Sequence, residues 1–198
     1  AATSSAPRRR AGRLCFIQHI LKSMDPRSGR CAILLPHGVL FRNEESEMRE
    51  RLVRSDLVEA VIGLGANLFF NSPMEACILI CRSEKAPNRS KKILFVDASA
   101  EVTRKNAQSY LEPQHIKRIV DAYRSDEDIE GFSSHASFSE LEDNAFSLSI
   151  PLYVKPANDE NADDRSIEET VESWRAASTE AASLLDNIAA KLHENDGE

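Results

Sequence analysis

Residues 57–81 read "LVEAVIGLGANLFFNSPMEACILIC", and how this stretch divides decides the architecture. "LVEAVIGL" and "ACILIC" are nearly continuous apolar runs of strand length. Between them, Gly63-Leu64-Gly65 and Asn71-Ser72-Pro73 punctuate the chain as turns. Phe69 and Phe70 therefore sit on the lip of a strand. Adjacent strand residues point to opposite faces, so one ring is expected to pack under the sheet edge and the other to stand free.

The flanking segments extend the pattern. Leu14, Ile17, Ile20, Leu21 and Met24 fall at helical spacing, and "DPRSG" ends that helix with a proline and a glycine. Cys31 to Leu35 is a continuous apolar run, expected to be a strand buried on both faces of a parallel sheet and stopped at Pro36-His37-Gly38. "NEESEMRERLVRS" reads as a helix with Met48 and Leu52 on one face. "ILFVDAS", from Ile93, is a fourth strand. Strand, helix and three strands is the pattern of the second half of an open α/β sheet, whose final pair is often antiparallel. Farther on, Ile116, Ile119, Val120 and Tyr123 mark a helix opened by Pro113. Ser139 with Glu142 fits a capping box, and "FSLSIPLYV" reads as extended. A long helix from Ile167 to Leu192 follows, opened by a box of Ser166 with Glu169.

Composition limits the function classes. With 198 residues and 41 % hydrophobic content, the chain holds one main core with an appendage. No run is long enough for a membrane span and no signal-peptide stretch precedes Leu14, which predicts a soluble cytoplasmic protein with no membrane association. Cys15, Cys31, Cys77 and Cys81 lack metal or redox spacing and read as reduced, the last three as small core hydrophobes. A net charge of −7 argues against a compact basic domain that binds phosphate by itself. The charge is uneven: Arg8, Arg9, Arg10, Arg13, Lys22, Arg27 and Arg30 crowd the start, and residues 158–164 read "NDENADD".

Catalytic motifs are missing from these residues. No two prolines are adjacent, so no Asn-Pro-Pro-aromatic loop is present. Gly63-Leu64-Gly65 lacks the third glycine of a dinucleotide loop and reads as a strand-end turn. Nucleophile-elbow, zinc-protease and phosphate-loop motifs are absent too. His37, at the carboxyl end of a strand, is the histidine placed where α/β sheets put ligands, with a turn histidine bonded to backbone as the alternative.

The run from "FIQHIL" through "LPHGVLFR" and "GLGANLFFNSPMEACILI", followed by "ILFVDAS", "HIKRIV" and "LSIPLYV", resembles the C-terminal half of the modification (M) subunit of type I restriction-modification systems. Those are adenine-specific DNA methyltransferases. The resemblance runs from about Phe16 to the end. It implies an α/β fold, the C-terminal half of a Rossmann-like S-adenosylmethionine-dependent methyltransferase sheet followed by a long C-terminal helix. It also implies S-adenosylmethionine as cofactor of the complete enzyme, with none expected for this chain alone and no catalytic residue in it, because the glycine motif and the Asn-Pro-Pro-Phe loop lie before "FIQHIL". Phe70 matches the aromatic that stacks on a base flipped from the duplex, with Phe69 as alternate and as the ring expected beneath the edge; His37 and Asn71 would lie near DNA. The implied partners are a specificity subunit, DNA and a translocase/restriction subunit. Two departures stand out: Pro73 and Glu75 occupy a turn where many M subunits have Thr-Gly-Ile-Pro, and "AATSSAPRRRAGRLCF" replaces the usual Asp-Tyr-Ala-Phe approach. The second suggests that residues 1–15 are an out-of-frame or truncated remnant.

The expected organisation is a disordered or non-native tail over 1–13, the second half of the methyltransferase domain over 14–99, its extension over 100–156, an acidic linker over 157–165 and a docking helix over 166–198. Ile167, Val171, Trp174, Ser178, Ala181, Leu185, Ile188 and Leu192 alternate at spacings of three and four, a heptad seam that wants another helix. A specificity subunit, a homodimer partner or the chain's own core would cover it. The competing functions are a partial methyltransferase subunit, a non-catalytic module that binds a specificity subunit, and an unrelated small Rossmann-like enzyme. Half a sheet with an open edge predicts marginal stability or association.

Overall fold

The computed structural model describes residues 12–70, 72–106, 108–155, 174–175 and 178–179. The chain divides into two units, Ala1–Ala157 and Asn158–Glu198. In the first, the expected opening helix forms as α1, Gly12–Ser23. Ile17 on it is buried, and Leu21 with the following Met24 packs against the core. Asp25 then closes a turn, its Oδ1 accepting from the backbone N–H groups of Arg27 at 3.0 Å and Ser28 at 2.7 Å. These bonds hold the Asp25 carboxyl below its ordinary pKa.

Strand β1, Arg30–Pro36, leads through two short 3-10 turns, His37–Leu40 and Asn43–Glu45, to α2, Ser46–Arg54. Strands β2, Val58–Leu64, β3, Ala76–Arg82, and β4, Lys92–Ala98, follow. A small hairpin of β5, Thr103–Lys105, and β6, Gln108–Tyr110, precedes α3, Pro113–Arg124. The unit continues with β7, Ser133–Ser137, and α4, Phe138–Asp143. The main sheet has the order β1-β3-β2-β4-β7. Its β2–β4 pair is parallel; β3 runs antiparallel to both β1 and β2, and β7 antiparallel to β4.

All seven residues of β2 are buried, and the sheet has a core on each face. On one face Val61, Leu79 and Phe95 meet Leu52 and Val53 of α2, Leu141 of α4 and the strap carrying Phe146, Leu148 and Ile150. Tyr153 stacks on Phe95 with centroids 4.1 Å apart, and its hydroxyl donates to the Ser147 carbonyl at 2.6 Å. Burial pushes that phenol up to about 12. On the other face Ile62, Leu94 and Val96 meet Ile119 and Ala122 of α3 and Phe132.

Three expectations are corrected. First, β1 is neither in a parallel pair nor buried on both faces: it is an edge strand antiparallel to β3, with Leu34 51 % exposed. An apolar run cannot reveal direction, and the cover of this face stops short of the edge: Ile78 packs against the α3-side core, while its partner Leu34 on β1 is left exposed. Second, the capping box over α4 is Ser137 with Glu140, not Ser139 with Glu142. Both pairs match the motif, and the helix starts where β7 releases the chain. Third, "FSLSIPLYV", expected to be extended, is so at Ser149 but left-handed at Phe146, and it pairs with no strand among the described residues. Its apolar alternation serves a strap held by Leu148 N–H on the Leu40 carbonyl at 2.9 Å and ended by a 3-10 turn at Ile150–Leu152. In the second unit, Trp174 lies in a helical stretch and is 69 % exposed. Ile167, Val171, Leu185, Ile188, Leu192 and the box of Ser166 with Glu169 lie outside the described residues.

Arg49 of α2 is buried, yet its guanidinium donates to the carbonyls of Val39 at 3.1 Å and Arg42 at 2.6 Å. It thereby fixes the turn after β1. Burial lowers its pKa from the ordinary value, opposed by the Glu45 carboxylate. Arg49→Met would keep the volume but, at a cost of about 1–3 kcal/mol, take the guanidinium from the buried Val39 carbonyl, whereas the Arg42 carbonyl keeps the Glu45 N–H. Urea unfolding is expected to show a lower midpoint with an unchanged slope.

Candidate functional site

Strands β1, β2 and β4 run in one direction, because β3 opposes both β1 and β2 while β4 parallels β2. Their carboxyl ends therefore lie at one end of the sheet, the end where open α/β folds bind ligands. Three loops leave there, over residues 37–41, 65–75 and 99–111.

Close backbone approach joins two of them. A Cβ at Gly65 would lie 2.5 Å from the Ser99 carbonyl oxygen and 2.8 Å from Val102 Cγ1, so only glycine lets the loop after β4 settle on the end of β2. The Ser109 N–H then donates to the Asn67 carbonyl at 2.9 Å, stapling the β5–β6 hairpin to the aromatic loop. Leu68 and Leu111, one from each loop, pack against the α3-side core. Asn67 takes a left-handed φ of 60° that asparagine tolerates.

Beyond Leu68 the chain doubles back, with the Ser72 N–H donating to the Phe69 carbonyl at 3.1 Å. Phe70, on this turn, is 82 % exposed. Phe69 is not beneath the sheet edge as expected: it is 37 % exposed and lines the same cleft. A tight turn does not alternate its side chains as a strand does, which is why the strand rule misplaced it. Asn71 lies outside the described residues. The cleft has a volume of about 450 Å³, with Phe69, Phe70 and Pro73 on one wall and Lys105, Gln108 and Tyr110 on the other.

His37 does not line this cleft. Its Nδ1 lies 3.5 Å from Glu75 Oε2, and its Nε2 is buried with no hydrogen-bond partner among the described residues. A Cβ at Gly63 would meet Ile150 Cδ1 at 2.7 Å and His37 Nε2 at 3.3 Å, so the imidazole caps β2 from the strap side. Gly63 and Gly65 are thus filled by the chain's own atoms. They offer no cradle for an adenosyl cofactor. Among the described residues no cluster of His, Cys, Asp and Glu could hold a metal ion. Cys31, Cys77 and Cys81 are free thiols, and burial pushes Cys77 up to about 12.

The hairpin wall escaped the sequence reading. Its signal was present in "TRKNAQSY", where short alternation flanks an asparagine suited to positive φ; Asn106 has φ 57°.

A solvent-facing ring on a turn pinned by backbone bonds is available to a ligand without costing the fold much. Phe70→Ala is expected to change stability by less than about 0.5 kcal/mol in thermal melts, whereas Leu68→Ala should cost more than about 1 kcal/mol.

The N-6 DNA Methylase family model matches residues 2–162. The chain is 32 % identical over 163 residues to the type I restriction enzyme MjaVII methylase subunit of Methanocaldococcus jannaschii, covering 80 % of this chain and 28 % of that protein. It is 30 % identical over 195 residues to the MpnII methylase subunit of Mycoplasma pneumoniae, covering 94 % and 35 %. The crystal structure of a type I restriction-modification system methyltransferase subunit from Streptococcus thermophilus superposes with a TM-score of 0.69 at 38 % identity, covering 76 % of this chain and 31 % of that one. The chain thus spans about a third of the length of these relatives.

Proposed function

The chain belongs to the N-6 DNA methylase family, and from that premise we propose that it forms the DNA-facing and partner-docking part of an adenine-specific type I modification subunit. The carrying observation is Phe70, exposed on a pinned turn beside a cleft at the carboxyl end of the strands. A base extruded from a duplex loses its stacking neighbours, and an aromatic face replaces them at about 1–3 kcal/mol per base. Phe69, on the same wall, is the alternate ring.

On this reading a chain of these 198 residues does not transfer a methyl group by itself. It holds no Asn-Pro-Pro-aromatic loop to position a target amine, and its strand-end glycines are filled. The rest of the catalytic sheet would add at β1, whose outer edge pairs with no strand among the described residues and whose Leu34 faces solvent. The glycine motif and the Asn-Pro-Pro-Phe loop would come with it. The exposed Trp174 supports a second role, docking of the C-terminal segment, with Ile167, Val171, Leu185, Ile188 and Leu192, on a specificity subunit. That role alone would make the chain a non-catalytic interaction module. No helix among the described residues is long and apolar enough to cross a membrane.

Reconstitution tests the assignment. Mixed with a polypeptide carrying the glycine loop and the Asn-Pro-Pro-Phe motif, the chain should support adenine methylation that it does not support alone. Phe70→Ala in that mixture should lower kcat/KM by about 1–3 kcal/mol in activation free energy. Micromolar binding of S-adenosylmethionine to the isolated chain, read by calorimetry, would overturn the division of labour.

Docking has its own check. Deleting residues 166–198, or combining Trp174→Glu with Leu185→Glu, should abolish co-purification with the specificity subunit and leave the circular dichroism of the sheet unit unchanged. Full retention of the complex by the deletion would refute it.

A further inference from the structure

The aromatic turn accounts for only one wall of the cleft. The other belongs to β5–β6, whose strand pairing sorts its side chains. Thr103 faces Tyr110, Arg104 faces Ser109, and Lys105 faces Gln108. Side chains alternate along a strand, so Thr103, Lys105, Gln108 and Tyr110 share one face while Arg104 and Ser109 share the other. Ser109 is buried against the body, and Lys105, Gln108 and Tyr110 line the cleft.

Building on the function proposed above, we infer that this hairpin is a nucleotide clamp: Tyr110 stacks on an unpaired base opposite the Phe69–Phe70 wall, and Lys105 pairs with the adjoining phosphate. Each part has its chemistry in place. The Tyr110 ring is 45 % exposed, and its hydroxyl donates to Gln108 Oε1 at 3.4 Å, which leaves the ring face for stacking. With Oε1 so engaged, the Gln108 amide nitrogen remains a donor for acceptors on a base edge. The Lys105 ammonium is mostly exposed and only loosely held, 3.9 Å from Glu112 Oε1. Glu112 itself serves the start of α3 through a capping box with His115, so its carboxylate is shared. A phosphate offers Lys105 the better partner. Asn106 at the hairpin tip and Asn67 on the loop add neutral donors and acceptors, which suits a base more than a second phosphate.

The opposite face of the hairpin supplies the control. Arg104 carries the same charge as Lys105, one residue away, and points away from the cleft by strand alternation.

The test uses the full chain and a short single-stranded oligonucleotide bearing one fluorescent purine analogue, titrated over a series of salt concentrations. Wild type should bind and quench the analogue. Tyr110→Ala should weaken binding roughly five- to hundredfold and relieve the quenching. Lys105→Ala should make the slope of log affinity against log salt shallower by about 0.7, the value for one phosphate contact on a single strand. Arg104→Ala should change the slope by less than half as much. If Phe70→Ala loses binding while Tyr110→Ala and Lys105→Ala bind as wild type, the clamp is overturned and the proposed function stands. If Arg104→Ala and Lys105→Ala act alike, the charge works at a distance and the clamp is overturned as well. Failure of wild type to bind the oligonucleotide at low salt would overturn both readings.

Discussion

A strand with no residue in water must find hydrogen-bond partners along both edges, and β2 is such a strand. Its neighbours are therefore obligatory: β3 on one side, β4 on the other. The two connections differ in kind. Reaching antiparallel β3 requires only a reversal at the carboxyl end of β2, the aromatic loop. Because β4 runs parallel to β2, its own exit emerges at that same end and carries the hairpin. Burial of one strand thus brings together two loops far apart in sequence. The helices and the strap follow from the same demand, since each face of β2 needs an apolar cover.

Charged groups divide by position. At the far end, Asp56 accepts from the Lys91 N–H at 3.0 Å and lies 2.6 Å from the buried Lys85 ammonium. Glu59, buried at the β2 irregularity, accepts from the Tyr123 hydroxyl at 2.7 Å. Burial and then that carboxylate raise the Tyr123 pKa. Arg89 ties down the end of α3 through the carbonyls of Tyr123 and Ser125 at 2.9 and 2.8 Å. These ions are occupied with the chain's own backbone and with one another. The cleft end is different, with a loosely paired lysine, amides and rings. Such a surface suits short-range contact with a nucleotide better than long-range attraction of a duplex, in keeping with the chain's acidic balance.

The strands β2, β3 and β4 were legible because an apolar run bounded by turn residues has few other readings. Their directions were not, since the same letters serve parallel and antiparallel pairs; β1 was misassigned for that reason. Phe70 was singled out through family resemblance, and its ring is exposed. Phe69 and His37 show where local rules stop. The first obeys a turn where a strand was assumed. The second is placed by contacts with Gly63 and Glu75, residues remote in the chain. The hairpin was overlooked because three-residue polar strands carry too little hydrophobic periodicity to stand out.

The contact between Gly65 and the Ser99 carbonyl has a bearing on how such a cleft can change over time. Its two walls meet backbone to backbone beneath their side chains, so the opening has a gauge set by main-chain packing. Residues at Phe69, Phe70, Lys105, Gln108 and Tyr110 can then be exchanged without resetting that gauge. Drift in the lining would retune what the cleft grips, whereas a single added methyl at position 65 would force the walls apart and spoil the fit for every occupant at once.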